Sequence, residues 1–511
     1  MKQRNLRRIR HAATAAAALG IPYYASQAGA QDVTNAAPLY NNTTNVNVPA
    51  LLQRLDDLEN KVKVLERNRE VDKESADDAA AEMRKSMPVF NVSQNGIGFR
   101  SADTNFAIRL EGVIQLDSRT FFDDHGIQGT DGFLLRRARP ILEGTVYRDF
   151  DFLFVPDFGT GNNGGNGGSQ PTPLIFDAYL NYRYSPELQF RFGKMKPPVG
   201  LENLQSDAFL TFNERSFVGE LLPNRDVGAM IHGVAFDGTV SYAAGIFNGV
   251  GDNRNSTSSA FSNDKTGDAR IFFQPFITTD IKPLRGFGFG AAGTYGKPLT
   301  TAGLPNTTGG TLAGYVTDGQ EQFFAYNPVP TGSTNVTANG EHWRVTPQGY
   351  YYWGPLGFLG EYAISDQRLS VTRVGGGGGT VTRRIANTAW QLTGSYVLTG
   401  ENNTYSGVVP DRPFDPRLGH WGALQLAVRY EDLDIDRNAF PLFSDPNTSA
   451  KSAHAYSVGL NWWLNRNVRV LTSFTHTEFK GGGGTVGNQT APGAVTRQPE
   501  NTLFTRVQLA F

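Results

Sequence analysis

From about residue 91 to its end, the chain alternates between apolar and polar positions. In FAIRLEGVIQLDSR, Ile108, Leu110, Gly112, Ile114 and Leu116 share one face of an extended strand, and Arg109, Glu111, Gln115, Asp117 and Arg119 share the other, because successive side chains of a strand point to opposite sides. RRARPILEGTVY sets Ala138, Leu142, Gly144 and Val146 against Arg137, Arg139, Glu143 and Thr145. LQLAVRYED sets Leu424, Leu426, Val428 and Tyr430 against Gln425, Arg429 and Glu431. VRVLTSFTH sets Val468, Val470 and Phe474 against Arg469, Ser473 and Thr475. The chain stops on NTLFTRVQLAF, with Leu503, Val507, Leu509 and Phe511 opposite Thr502, Arg506 and Gln508. Such runs predict about sixteen strands, at roughly 107–121, 133–147, 151–158, 174–184, 187–195, 225–235, 239–248, 268–278, 286–295, 343–353, 357–369, 385–398, 420–435, 452–464, 467–479 and 501–511.

A soluble β-sandwich would alternate in the same way. The connections separate the two folds. SPE, FDGT, WGPLG and LNRN are tight, whereas DFGTGNNGGNGGSQPTP and the stretch opening KPLTTAGLPNTTGG are long and glycine-rich. Short turns at one end and long loops at the other mark an outer-membrane β-barrel. Aromatic residues near strand ends, Tyr182, Tyr184, Tyr350–Trp353, Trp462 and Trp463, fit an interfacial girdle. Segment 399–419 breaks the rule, being long where a tight turn is due. An aromatic residue closing the last strand fits a barrel whose final strand pairs with its first and leaves no edge.

Upstream, LLQRLDDLENKVKVLERNRE spaces Leu51, Leu55, Leu58, Val62 and Leu65 as an a/d seam. Residues 51–69 therefore read as a short coiled coil bundling identical chains, or as one amphipathic helix lying on a domain. Residues 31–50 read as a flexible linker and 70–90 as a charged spacer, leaving 91–511 for the barrel. MKQRNLRRIRH followed by AATAAAALGI and by Ala28–Ala30 reads as a secretory signal cut after Ala30. The alternative is a buried amphipathic helix.

The chain holds no Cys, so a fold exported to an oxidising compartment would not rest on disulfides. A net charge of −1 over 511 residues gives no reason to expect nucleic acid. The lumen is another matter. Alternation assigns to it Arg109, Arg119, Arg137, Arg139, Arg183, Arg191, Arg270, Arg344, Arg429, Arg469 and Arg506, against Glu111, Asp117, Glu143, Asp177 and Glu431. Rings of arginine select anions, and the guanidinium fork suits phosphate and carboxylate. The competing reading is that these arginines are neutralised by inward acids and loop carboxylates.

The connection Gly193–Gly228 is long and carries Leu201, Leu204, Phe209, Leu210, Phe212 and Phe217 beside Lys194, Lys196, Arg215 and Arg225. So many large apolar groups suit a loop folded into the barrel, where they pack on the wall and narrow the passage. RRARPILEGTVYRDFDFLFVPDFG, FDAYLNYRY, RFGKMKPPVGLE, FNERS, LLPNRDVGAMIHG and WQLTGSYVLTGE together resemble the phosphate-selective porin O/P family from about residue 91 onward. The resemblance implies an all-β, 16-stranded antiparallel transmembrane barrel, an inward-folded third loop and a homotrimer in outer-membrane lipid. It also implies an anion path for which Arg136, Arg137, Arg139, Asp177, Lys194 and Lys196 are the candidates, with Arg215, Arg225, Arg109 and Arg506 added. Asp177 matches the family's fourth-strand acid, which would hold a basic partner or take a proton from phosphate.

No HExxH, GxSxG or paired metal-ligand spacing occurs, and the GGGGG run at 375–379 lacks the strand and helix of a phosphate-binding loop. Neither an enzyme nor a cofactor is expected. The functional readings are a passive porin preferring small anions such as phosphate, a porin for sugars or organic acids, and an envelope-linking protein that reaches the cell wall through residues 51–69.

Overall fold

The computed structural model describes residues 47–122, 129–159, 174–256, 264–297, 312, 314–326, 336–372, 379–483 and 496–511. The expected signal segment with its cut after Ala30, most of the 31–50 linker and most of the glycine-rich loop runs lie outside the described residues. The chain forms two units, divided between Ala80 and Ala81.

The first unit is helical. Helix α1 (Val48–Ser86) is continuous over 39 residues. It begins inside the expected linker and runs through the expected spacer, because EVDKESADDAAAEMRKS contains no Gly or Pro and four alanines, all compatible with helix. Its seam residues Leu51, Leu55, Leu58, Val62 and Leu65 are all exposed.

The second unit is a closed antiparallel barrel. Its strands are β1 (Ala107–Phe121), β2 (Gly132–Val146), β3 (Phe150–Asp157), β4 (Leu174–Arg183), β5 (Gln189–Met195), β6 (Asp226–Ala235), β7 (Val240–Phe247), β8 (Thr266–Phe273), β9 (Phe287–Gly296), β10 (Thr337–Trp353), β11 (Leu356–Thr372), β12 (Thr380–Val397), β13 (Ala423–Asp434), β14 (Ala450–Trp463), β15 (Val468–Gly481) and β16 (Glu500–Ala510). Each of the sixteen pairs with its sequence neighbours, and β16 closes on β1 from Thr502↔Phe121 to Ala510↔Val113. Every expected strand is present. β10, β11 and β12 are longer than expected at 17, 17 and 18 residues.

Below Val113, β1 continues past the end of β16 and pairs instead with a hairpin, Val89–Ser93 and Gly96–Arg100, through Ile97↔Leu110 to Arg100↔Ala107. The short turns hold as expected. Tyr147 and Arg148, in the three-residue connection 147–149 between β2 and β3, both have positive φ, at 49° and 63°, the left-handed conformation that tight hairpin turns use.

Alternation carries through to burial. On β16, Val507 and Leu509 are exposed on the outer face, as is Phe511 just beyond it, and Thr502, Phe504, Arg506 and Gln508 are buried within. The girdle reading fails in part. Trp463 is only 2% exposed, because strand alternation sends it inward while Trp462 stays on the other face. Tyr350 likewise packs inside, stacked on Tyr405 with ring centroids 5.5 Å apart.

Among the described residues, connections from both ends enter the barrel. The third loop (196–225), between β5 and β6, carries α2 (Leu201–Leu204) and a 3₁₀ turn at Phe217–Leu221. Leu201, Leu210, Phe212 and Phe217 are each no more than 1% exposed. In the fifth loop, the paired segments Tyr315–Val316 and Gln322–Phe324 are also packed inside. Phe217, Leu221 and Leu222 of the third loop and Tyr315, Phe323 and Phe324 of the fifth form one apolar cluster with Ala363, Leu369, Ile385, Ala389, Leu433 and Ala453 of β11–β14. The small, apolar inner face of those strands is what lets two loops dock there. From the short-turn end, the long segment 399–419 sends Tyr405 up, its hydroxyl donating to the Leu201 carbonyl at 2.5 Å and its backbone carbonyl accepting from Gln205 Nε2 at 2.6 Å.

Candidate functional site: a cation cluster around the third loop

The site begins at an irregularity in β2. Gln115 pairs with Arg137 and Leu116 with Leu135, so Arg136 is an extra residue in the ladder. A bulge of this kind lets two consecutive side chains face the same way. Arg136, Arg137 and, two residues on, Arg139 are all buried inside the barrel. β4 has a matching shift, with Val155 opposite Asp177 and Pro156 opposite Ile175. The extra residue there, Phe176, is buried as well. Arg139 and Arg225 place their guanidinium carbons 3.7 and 3.6 Å from the Phe176 ring centroid, a cation–π arrangement.

The third loop is strung between wall arginines and wall acids. Arg469, Arg506 and Arg429 donate to the carbonyls of Leu210 at 2.8 Å, Asn213 at 2.5 Å and Glu214 at 3.1 Å. From the opposite wall, Glu361 accepts from the amides of Leu201 and Glu202, and Glu431 accepts from the Phe217 amide at 2.7 Å. The loop's own acids answer the β2 arginines. Glu214 receives both forks of Arg136, at 2.7 and 2.9 Å, and Arg506 at 3.1 Å, with Arg137 and Arg119 each 3.9 Å away. Asp207 meets Arg137 at 3.4 Å and also pairs with Arg139 and Arg215. Burial works to raise both loop carboxyls, and the surrounding arginines overturn it and hold both well below the usual carboxylate range.

The expected arginine wall is therefore extensively ion-paired. Arg139 also binds Asp157 at 2.6 Å, Arg344 binds Asp252 at 2.8 Å and Arg429 binds Asp318 at 2.6 Å. Arg506 takes both oxygens of Asp117 at 2.6 and 2.7 Å. Positive charge is nonetheless in excess beside the third loop. Lys194 donates to the Ser256 carbonyl at 2.6 Å and Lys196 to the Gln205 carbonyl at 2.8 Å. Among the described residues no carboxylate lies within ion-pair distance of either. Arg225 reaches Asp177 only at 3.5 Å. Burial, with Arg225 and Arg215 adding to it, pushes the Lys196 amine well below the lysine range. Burial pushes Arg225 down to about 10. Nε of Arg137 and Nε of Arg225 are buried and face the carboxylates of Asp207 and Asp177 at 3.4 and 3.5 Å without forming a hydrogen bond.

Of the ten candidates, Arg136, Arg137, Arg139, Asp177, Lys194, Lys196, Arg215, Arg225 and Arg506 gather around this loop. Arg109 does not. It pairs with Glu143 and, at 3.0 Å, Glu111, and lines a separate cavity of about 750 Å³ with Arg100, Tyr179, Arg191 and the N-terminal hairpin. Among the described residues no group of His, Cys, Asp or Glu could hold a metal ion. Sequence reasoning missed Asp207, Glu214 and Asp318, since loop acids carry no periodic signal. It missed Phe176 because a bulge inverts the alternation that would have placed it.

A sequence model of the family described as phosphate-selective porin O and P matches residues 108–496. The chain belongs to that family. It is an outer-membrane porin with a transmembrane β-barrel. Porin O of Pseudomonas aeruginosa is 22% identical over 425 residues, covering 79% of this chain and 90% of that one. Among solved structures, the outer-membrane channel DcaP of Acinetobacter baumannii is similar with a TM-score of 0.47 and 12% identity, over 81% of this chain and 99% of that one. OmpT of Vibrio cholerae is similar with a TM-score of 0.45 and 11% identity, over 80% and 98% of the two chains. For this porin, the long connections face outward from the cell and the short turns face the periplasm.

Proposed function

We propose that this porin carries small anions, inorganic phosphate among them, by passive diffusion past a constriction at its third loop. One observation carries the reading: Lys194, Lys196, Arg215 and Arg225 crowd beside Arg137 and Arg139, and among the described residues neither lysine has a carboxylate within ion-pair distance. Buried cations lacking counter-charge raise the local concentration of anions. The Nε donors of Arg137 and Arg225, held to Asp207 and Asp177 only by long contacts of 3.4 and 3.5 Å, would be offered to an oxyanion that came between. Asp177, beside Lys194 and Arg225, would steady the cluster or take a proton from protonated phosphate. Homotrimers, with the exposed α1 seam bundling three copies or reaching the cell wall, complete the proposal.

The test is chloride current through the full-length porin in planar bilayers with inorganic phosphate added. Block by low phosphate supports a phosphate site. Current insensitive to phosphate contradicts it. The pairing of most lumen arginines favours a second reading, a channel passing small polar solutes such as sugars or organic acids with weak charge preference. Uptake of neutral sugars into proteoliposomes at rates matching chloride would favour that one.

A further inference from the structure

Glu214 is surrounded as a bound oxyanion would be. Arg136 grips both its oxygens, Arg506 adds a third bond, and Arg137 and Arg119 stand at 3.9 Å. Planar, bidentate guanidinium contacts of this kind recognise carboxylate and phosphate alike. Yet the acid is supplied by the loop, not by the wall. The space left beside it, between Arg136, Arg215 and Asn203, is only about 40 Å³. That is room for ordered water.

We infer that Glu214 is a specificity-determining residue: a tethered anion that occupies the arginine site a solute anion would take, and so sets how firmly the constriction holds its solute. The inference rests on the anion-porin reading and names the residue that tunes it. A solute oxyanion gains the full pull of Arg136, Arg119 and Arg506 only when the Glu214 side chain swings aside. Asp207 stands in the same relation to Arg137, Arg139 and Arg215.

The loop has holds besides this carboxylate. Arg429 holds the Glu214 carbonyl, Arg506 holds the Asn213 carbonyl, and Ser473 donates to Asn213 Oδ1 at 2.8 Å. Glu214→Gln keeps the shape and removes the charge. In full-length porin in planar bilayers, it is expected to raise the anion-over-cation permeability ratio several-fold. It is also expected to lower, several-fold, the concentration of inorganic phosphate that half-blocks chloride current. Both values unchanged, or moved the other way, in a variant whose barrel still shows its heat-dependent gel shift would overturn the inference. Should Glu214→Gln fail to assemble, Glu214→Asp is read the same way, since its shorter side chain withdraws the carboxylate from Arg136. Tighter phosphate block then supports the inference and wild-type block contradicts it. A wild-type channel that prefers cations would instead refute the anion-porin reading. An anion-preferring wild type left unaltered by Glu214→Gln would refute only the role of Glu214.

Discussion

Arg506 and Asp117 face each other directly across the seam that closes the barrel, joined by two hydrogen bonds of 2.6 and 2.7 Å and both fully buried. The first and last strands are thus locked from within by one bidentate pair, while Val507, Leu509 and Ile114 present their apolar faces outside. Removing one partner of a buried pair strands the other charge, at a cost of roughly 3–5 kcal/mol. Asp117→Asn is therefore expected to lower the temperature at which the folded barrel converts to its unfolded gel form. An unchanged transition would show that the seam does not depend on this pair.

Lys196 lies beside Arg215 and Arg225 with no carboxylate of its own among the described residues. Lys196→Gln should weaken phosphate block of chloride current while leaving barrel assembly intact. If assembly is lost instead, Lys196 serves to hold the Gln205 carbonyl and not to attract a solute.

Glu220 ties the third loop to the fifth, accepting from the Val316 amide at 3.1 Å and from Asn253 at 2.9 Å. Burial raises its carboxyl from 4.5 to about 8, against the pull of these donors and of Arg254. Folding thus favours the protonated form. Its contribution is complete below 4.5 and is lost as pH climbs through 8. Glu220→Gln stays neutral throughout. Its margin over wild type in thermal stability should widen between acid and alkaline buffer. A constant margin would place the docking energy elsewhere.

Much of the barrel was legible because lipid outside and water inside impose a period of two on every strand. Val507 and Arg506 sit on opposite faces for that reason, and the closing pairs of β16 follow from it. The girdle assignment of Trp463 erred where an aromatic at a strand end turned inward to cover Arg469, 4.5 Å from its ring. The cation cluster was readable in part. Arg137 and Arg139 follow from alternation, whereas the bulges that turn Arg136 and Phe176 inward leave no mark on the pattern. Least visible was the answering negative charge. Glu214 and Asp207 belong to a loop, where position is set by what it docks against. The docking surface itself, the inner alanines of β11–β14, resembles any other strand until the loops are seen upon it.

Helix α1 keeps its leucine seam exposed, and an a/d seam gains stability chiefly from a second and third copy. Deleting residues 51–69 is expected to leave the barrel folded and to shift the detergent-solubilised porin toward smaller assemblies in light scattering. Unaltered mass would assign association to the barrel walls alone.

The central claim is that uncompensated positive charge beside the third loop governs what passes. The reversal potential of the wild-type porin across a potassium chloride gradient tests it most directly. The account predicts a potential of the sign set by chloride, reduced or inverted in Arg137→Glu. A potential near zero, or one set by potassium, would contradict it.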